Sequence, residues 1–178
     1  SEYPEDWKCE IDGDKKFDNG TWLCASHKAI EYQMDPRNIL NEENIFQFKE
    51  LTYVENAQTV EGINEITEDT FLQGNNISEA LIQAGENANL DPYFIATRLI
   101  QEQGRKGTVL SQGYEYNGTT IYNPFNINAT GNSTSEIIEN AAEYAYNQGW
   151  DSLEKGLIGG IEFMKRGYID KGQNTLYL

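Results

Sequence analysis

Glu102 is the residue of this chain best placed for acid chemistry. It follows Asp91-Pro92, a capping carboxylate and a proline at the first helical position, which together predict a helix start. Phe94, Ile95, Leu99 and Ile100 then recur at helical spacing and give one buried face. Glu102 stands three residues beyond Leu99 at the tip of that face, and Gly104 ends the helix behind it. A carboxylate held there is expected to be partly desolvated, and so suited to hold a proton and hand it on near neutral pH.

Other candidate groups lie close by. Gly104, Gly107, Gly113 and Gly118 punctuate the next stretch, and Asn117-Gly118 predicts a tight hairpin behind Tyr114-Glu115-Tyr116. Such a flap would carry a second carboxylate, Glu115. Tyr122-Asn123-Pro124-Phe125 follows as an extended aromatic stretch. Flat aromatic faces and the amides of residues such as Asn123 and Gln101 are the usual equipment for holding sugar rings. His27 is the only histidine, which leaves most histidine-based metal sites and a Ser-His-Asp triad without their parts. Asp12, Asp14 and Asp18 lack the spacing and terminal glutamate of a calcium loop. Neither metal nor cofactor is expected.

Several elements must position these groups. Residues 1–33 are polar and turn-rich, and a small hairpin is expected there. Cys9 and Cys24 stand in it, either as free thiols or as a disulfide whose loop of about 15 residues would contribute roughly 3 kcal/mol. A helical pattern begins at Asp35-Pro36, and Ile45, Phe46, Phe48 and Leu51 form a further apolar face. Helices are predicted over about 76–89, 91–104, 135–148 and 152–166, with Gly149-Trp150 separating the last two, and 61–71 reads as a helix or a connection. In the last, Leu153, Leu157, Ile158, Ile161 and Phe163 are the expected inward residues. The fold class is thus mainly α (α+β), a helical domain over 34–178 with a small β-hairpin flap, and residues 1–33 as an extension packed on it.

The bulk composition narrows the partners. With 178 residues and 11 Tyr, 7 Phe and 3 Trp, the chain can build a real core. A net charge of -16 gives it nothing with which to displace counterions from nucleic acid, nor to hold an anionic membrane surface. No apolar run reaches the length of a membrane span, and a monomer is expected. The chain starts at Ser1 with no signal-like segment, as expected of a mature protein or an excised domain. Five N-x-[ST] triplets read as chance in an Asn-rich chain.

One glutamate at a helix end, then a glycine-rich hairpin, then aromatics, is the layout of a lysozyme-type glycosidase. Such chemistry needs one protonated carboxyl for the leaving oxygen and a second agent for the oxocarbenium-like charge. An ordered set of motifs also resembles a known family. It comprises Met34-Asp35-Pro36-Arg37-Asn38-Ile39-Leu40-Asn41, Phe46-Gln47-Phe48 and Leu99-Ile100-Gln101-Glu102-Gln103-Gly104. It continues with Tyr122-Asn123-Pro124-Phe125-Asn126-Ile127, Gly149-Trp150-Asp151-Ser152-Leu153-Glu154-Lys155, Gly159-Gly160 and Tyr168-Ile169-Asp170-Lys171-Gly172-Gln173-Asn174-Thr175-Leu176-Tyr177. Over residues 34–178 the chain resembles the endo-β-N-acetylglucosaminidases of bacterial autolysins, glycoside hydrolase family seventy-three, of the staphylococcal and clostridial type.

The resemblance implies a lysozyme-like fold and a secreted enzyme of the bacterial cell wall. The implied reaction is cleavage of peptidoglycan glycan strands at the β-1,4 bond between N-acetylglucosamine and N-acetylmuramic acid. It places the family's acid on Glu102 and the family's tyrosine on Tyr168, with Tyr122, Asn123, Phe125 and Gln101 as substrate contacts. The pattern also departs from the family. Phe125-Asn126-Ile127 leads to Thr130-Gly131, so an aspartate expected of the family is missing and Glu115 is its nearest substitute. The Met-Arg-Trp-Asn-Pro continuation after Thr175-Leu176-Tyr177 is also missing, as expected of a trimmed domain. A lytic transglycosylase and a non-catalytic wall-binding module are the alternatives that this layout leaves open.

Overall fold

The computed structural model describes residues 4–9, 16–17 and 22–177, which fall into two units: residues 1–49 with Tyr177, and residues 50–176. Asp12, Asp14 and Asp18 lie outside the described residues.

In the first unit, β1 (Lys16–Phe17) pairs antiparallel with β2 (Trp22–Leu23), the hairpin the turn residues predict. Cys9 and Cys24 form a disulfide with their Cα atoms 5.0 Å apart, and the Cys9 amide donates to the Cys24 carbonyl at 3.1 Å. The α1 helix (His27–Met34) occupies sequence expected to be extension. Ser26 caps it by accepting from the Ala29 amide at 3.2 Å, but Ala29 is its only buried residue, so no apolar periodicity announces it. The α2 helix (Pro36–Ile39) starts as expected, with Asp35 accepting from the Arg37 amide at 3.0 Å. The Arg37 guanidinium beside Asp35 holds that carboxyl below the usual range. Ile45–Phe48 is a single 3-10 turn that leaves Ile45 and Phe46 exposed, where a buried face was expected.

The second unit is built on four helices. The α3 helix (Val60–Thr67) packs on α4 (Asn75–Ala88) and α5 (Pro92–Gln103), and α4 packs on α8 (Leu153–Gly167). The α3 helix stops at Thr67, short of the expected Phe71, where the Thr67 hydroxyl turns back to the Ile63 carbonyl at 2.8 Å. Asn89 ends α4 in the left-handed region (φ 52°), and the Leu90 amide closes the turn on the Gly85 carbonyl at 2.8 Å. Asp91 then opens α5, accepting from the Tyr93 amide at 2.8 Å. Ile63, Leu81, Leu90, Ile95, Leu99, Leu157 and Ile161 fill the shared interior. Each contributes about 1.5–3 kcal/mol by burial.

A smaller core follows. The short α6 helix (Val109–Gln112) lies in the glycine-punctuated stretch, and after it β3 (Tyr114–Tyr116) pairs with β4 (Thr119–Ile121). Asn117 and Gly118 both take positive φ (49° and 76°), as a two-residue hairpin turn requires. These elements pack on α7 (Thr134–Gln148), around Leu110, Ile121, Ile127, Ala141, Ala145 and Trp150.

Phe125 touches both cores, and glycines on α8 let it do so. A Cβ on Gly156 would lie 2.6 Å from the Tyr122 carbonyl, one on Gly159 2.3 Å from Trp150 Nε1, and one on Gly160 1.9 Å from Phe125 Cδ2. Glycine here provides close approach. Gly160→Ala is therefore expected to destabilise the protein by about 1–3 kcal/mol despite alanine's better helix propensity. An unchanged urea midpoint for this variant would contradict the packing described.

Candidate active site

Glu102 lies in the last turn of α5, where its side chain faces an open groove of about 440 Å³. Leu51, Leu90 and Ile127 contribute buried apolar surface to the groove, while Phe125, Phe163 and Tyr168 contribute aromatic rings. Gln173 and Thr175 add polar atoms. The groove belongs wholly to the second unit. The Leu51 segment is fixed on both sides, its amide donating to Asn174 at 2.7 Å and its carbonyl accepting from Asp91 at 2.9 Å.

The expected desolvation of Glu102 is not found. Its side chain is 40% exposed and ion-paired, Oε1 lying 2.6 Å from Nε of Arg98 one turn earlier, itself 50% exposed. The apolar face of α5 turns into the core through Ile95, Ala96 and Leu99, and leaves Glu102 at the water's edge. Arg98 was absent from the expected site, although its i, i+4 spacing from Glu102 is legible in the sequence. It is the one cationic side chain lining this groove among the described residues.

Gln103 is the second residue that sequence reasoning missed. It is buried, its Nε2 donates to the Pro124 carbonyl at 2.8 Å, and its Oε1 accepts from the Thr108 hydroxyl at 2.5 Å. These bonds tie the end of α5 to the 122–125 segment and so hold the backbone beside Glu102. Gln101, expected on the substrate, is exposed and does not line the groove. Helical spacing points neighbouring side chains in different directions, and the buried glutamine is the one after the acid.

The extended stretch divides in the same way. Phe125 lines the groove as expected. Asn123 does not: it is fully buried, its Nδ2 donating to the Ile127 carbonyl at 2.8 Å and the Ala141 carbonyl at 3.0 Å. Its Oδ1 accepts from the Ile127 amide at 3.0 Å, so both donor hydrogens are committed and the buried side chain is not presented to a ligand. Tyr122 is half-buried with its ring against Gly113, its amide donating to Trp150 at 2.9 Å, and it does not line the groove. Glu115 is exposed on β3, takes a hydrogen bond from the Thr120 hydroxyl, and is also absent from the groove walls. The flap points this carboxylate to solvent because its strand neighbours Tyr114 and Tyr116 take the inward positions.

Tyr168 stands where α8 ends, 55% exposed and on the groove wall. Phe163, expected inside, is 43% exposed and joins it there. Exposed aromatic rings beside a carboxylate suit a ligand with both flat apolar faces and polar edges.

The second unit is thus a mainly helical domain with a small hairpin, carrying a glutamate on an aromatic groove. No protein-family model matches the chain. It is 30% identical over 176 residues to a beta-N-acetylglucosaminidase of Bacillus subtilis (strain 168), covering 94% of this chain and 19% of that protein. It is 25% identical over 171 residues to a bifunctional autolysin of Staphylococcus aureus, covering 89% of this chain and 13% of that one. The chain thus spans about a fifth or less of the length of these curated relatives. S. aureus glucosaminidase B has the same fold, with a TM-score of 0.70 and 24% identity over 98% of this chain and 66% of that one. The chain is thus similar in sequence to a beta-N-acetylglucosaminidase and a bifunctional autolysin and in fold to a glucosaminidase, the group its motifs resemble.

Asn123→Ala would strand the Ile127 amide and carbonyl and remove a second hydrogen bond from the Ala141 carbonyl inside α7. A loss of about 2–4 kcal/mol in urea unfolding is expected. A variant as stable as the parent would remove Asn123 from its structural role.

Proposed function

We propose that this chain is the catalytic domain of an extracellular peptidoglycan hydrolase that cuts the β-1,4 bond between N-acetylglucosamine and N-acetylmuramic acid. The observation that carries the reading is Glu102 on the wall of an open groove lined by Phe125, Phe163 and Tyr168. The names of the two relatives, a beta-N-acetylglucosaminidase and a bifunctional autolysin, support the substrate class. The Cys9–Cys24 disulfide supports action outside the cell, where thiols stay oxidised.

In this reading Glu102 is the general acid. It gives its proton to the glycosidic oxygen as the bond to the anomeric carbon breaks and that bond's electrons pass to the leaving oxygen. A glycan strand laid in the groove displaces water from Glu102, supplying the desolvation that the free domain lacks. Phe125 and Tyr168 face the sugar rings, and Gln173 and Thr175 are within the same groove to read their substituents. Glu115 stands away from the groove walls in this structure, which supports water or the substrate's own acetamido group in the second role.

Digestion of purified peptidoglycan, with mass spectrometry of borohydride-reduced products, tests both bond and acid. Wild type should leave reduced N-acetylglucosamine ends, and Glu102→Gln should lose about two orders of magnitude in rate or more. Anhydro-muramic ends would instead indicate transglycosylation. Undiminished turnover by the variant would remove Glu102 from the chemistry.

A further inference from the structure

We infer that Arg98 is the positioning residue for the proton donor, acting through Glu102 rather than on the glycan. The inference rests on the reading of Glu102 as general acid. Arg98 and Glu102 lie one turn apart on α5 with Nε and Oε1 2.6 Å apart, and both line the groove. A glutamate in the last turn of a helix, 40% exposed, has several rotamers open to it. The guanidinium selects the rotamer that keeps the carboxylate on the groove. Glu102 is its only ion-pair partner among the described residues, so nothing else holds the arginine there.

The pair also fits the charge that the reaction creates. When the Glu102 proton forms its bond to the glycosidic oxygen and the C1–O bond breaks, a carboxylate is left on the enzyme and a cationic sugar in the groove. Water then bonds to C1 and releases a proton, which restores the acid. Throughout that interval Arg98, the one cationic side chain lining the groove among the described residues, neutralises the carboxylate. An exposed i, i+4 pair adds little to folding, so the contribution of Arg98 is separable from stability.

The test measures kcat and KM on soluble peptidoglycan glycan strands for the wild type, Arg98→Gln, Arg98→Lys and Glu102→Gln. Calorimetric binding of the same strands to Glu102→Gln and to the Arg98→Gln/Glu102→Gln double variant completes it. Arg98→Gln should lower kcat about tenfold to a hundredfold with KM within about twofold. Arg98→Lys should recover most of that loss, because it keeps the charge within reach of Glu102, and neither variant should lower Tm. Strand affinity should be the same in both Glu102→Gln backgrounds, since Arg98 has no partner left to position. Wild-type kcat in Arg98→Gln, or a shared fall in Tm with no rescue by lysine, would overturn the inference. Weaker binding by the double variant would overturn it too, by placing Arg98 on the substrate. Turnover retained by Glu102→Gln would instead overturn the reading of the acid itself.

Discussion

The buried amide of Asn123 is the constraint on which the groove depends. Its backbone amide donates to Leu110 at 2.7 Å, and its side chain holds Ile127 and Ala141. One residue therefore joins α6, the 122–127 turn and α7. Without it, the turn would bury backbone groups that have no other partner, at a cost that a small core of alanines and a few larger side chains could not offset. Because the turn is fixed, Phe125 lies on Gly160 of α8 with one side in the protein and another on the groove. Pro124 then offers its carbonyl to Gln103, the neighbour of the acid. Site and fold are thus joined by a chain of specific contacts.

The environment of Glu102 follows from the same geometry. The helix that carries it is committed to the core through Ile95 and Leu99, and its opposite side, with Arg98 and Glu102, faces water. What that side offers is a partner charge rather than an apolar pocket. A carboxylate arranged in this way stays solvated until a ligand covers it, so much of the site's chemistry depends on what fills the groove.

Much of this was legible in the residues. Asp91-Pro92, Asn117-Gly118 and Gly149-Trp150 marked real boundaries, because caps and positive-φ turns are decided locally. The resemblance of motifs over 34–178 agrees with the named relatives. Helix α1 was not legible, since one capping serine and one buried alanine leave almost no periodic signal. The roles of Asn123, Gln103 and Glu115 were not legible either. Whether an amide or carboxylate faces a ligand, a carbonyl or water depends on elements distant in sequence, and type and spacing carry no record of that. Phe163 shows the same limit from the other side: at the edge of an apolar face, periodicity does not say where the core ends and the groove begins.

The glycines of α8 also bear on how the chain reaches this state. Gly156, Gly159 and Gly160 each weaken an isolated helix by about 0.5–1 kcal/mol relative to alanine. On its own, this segment would be a poor helix, held only by the cap of Ser152 and a few favourable residues. Leu157 and Ile161 become buried only once α4 is in place to receive them. The wall that carries Phe163 and Tyr168 therefore owes its helical form to docking on α4 rather than to the propensity of its own residues.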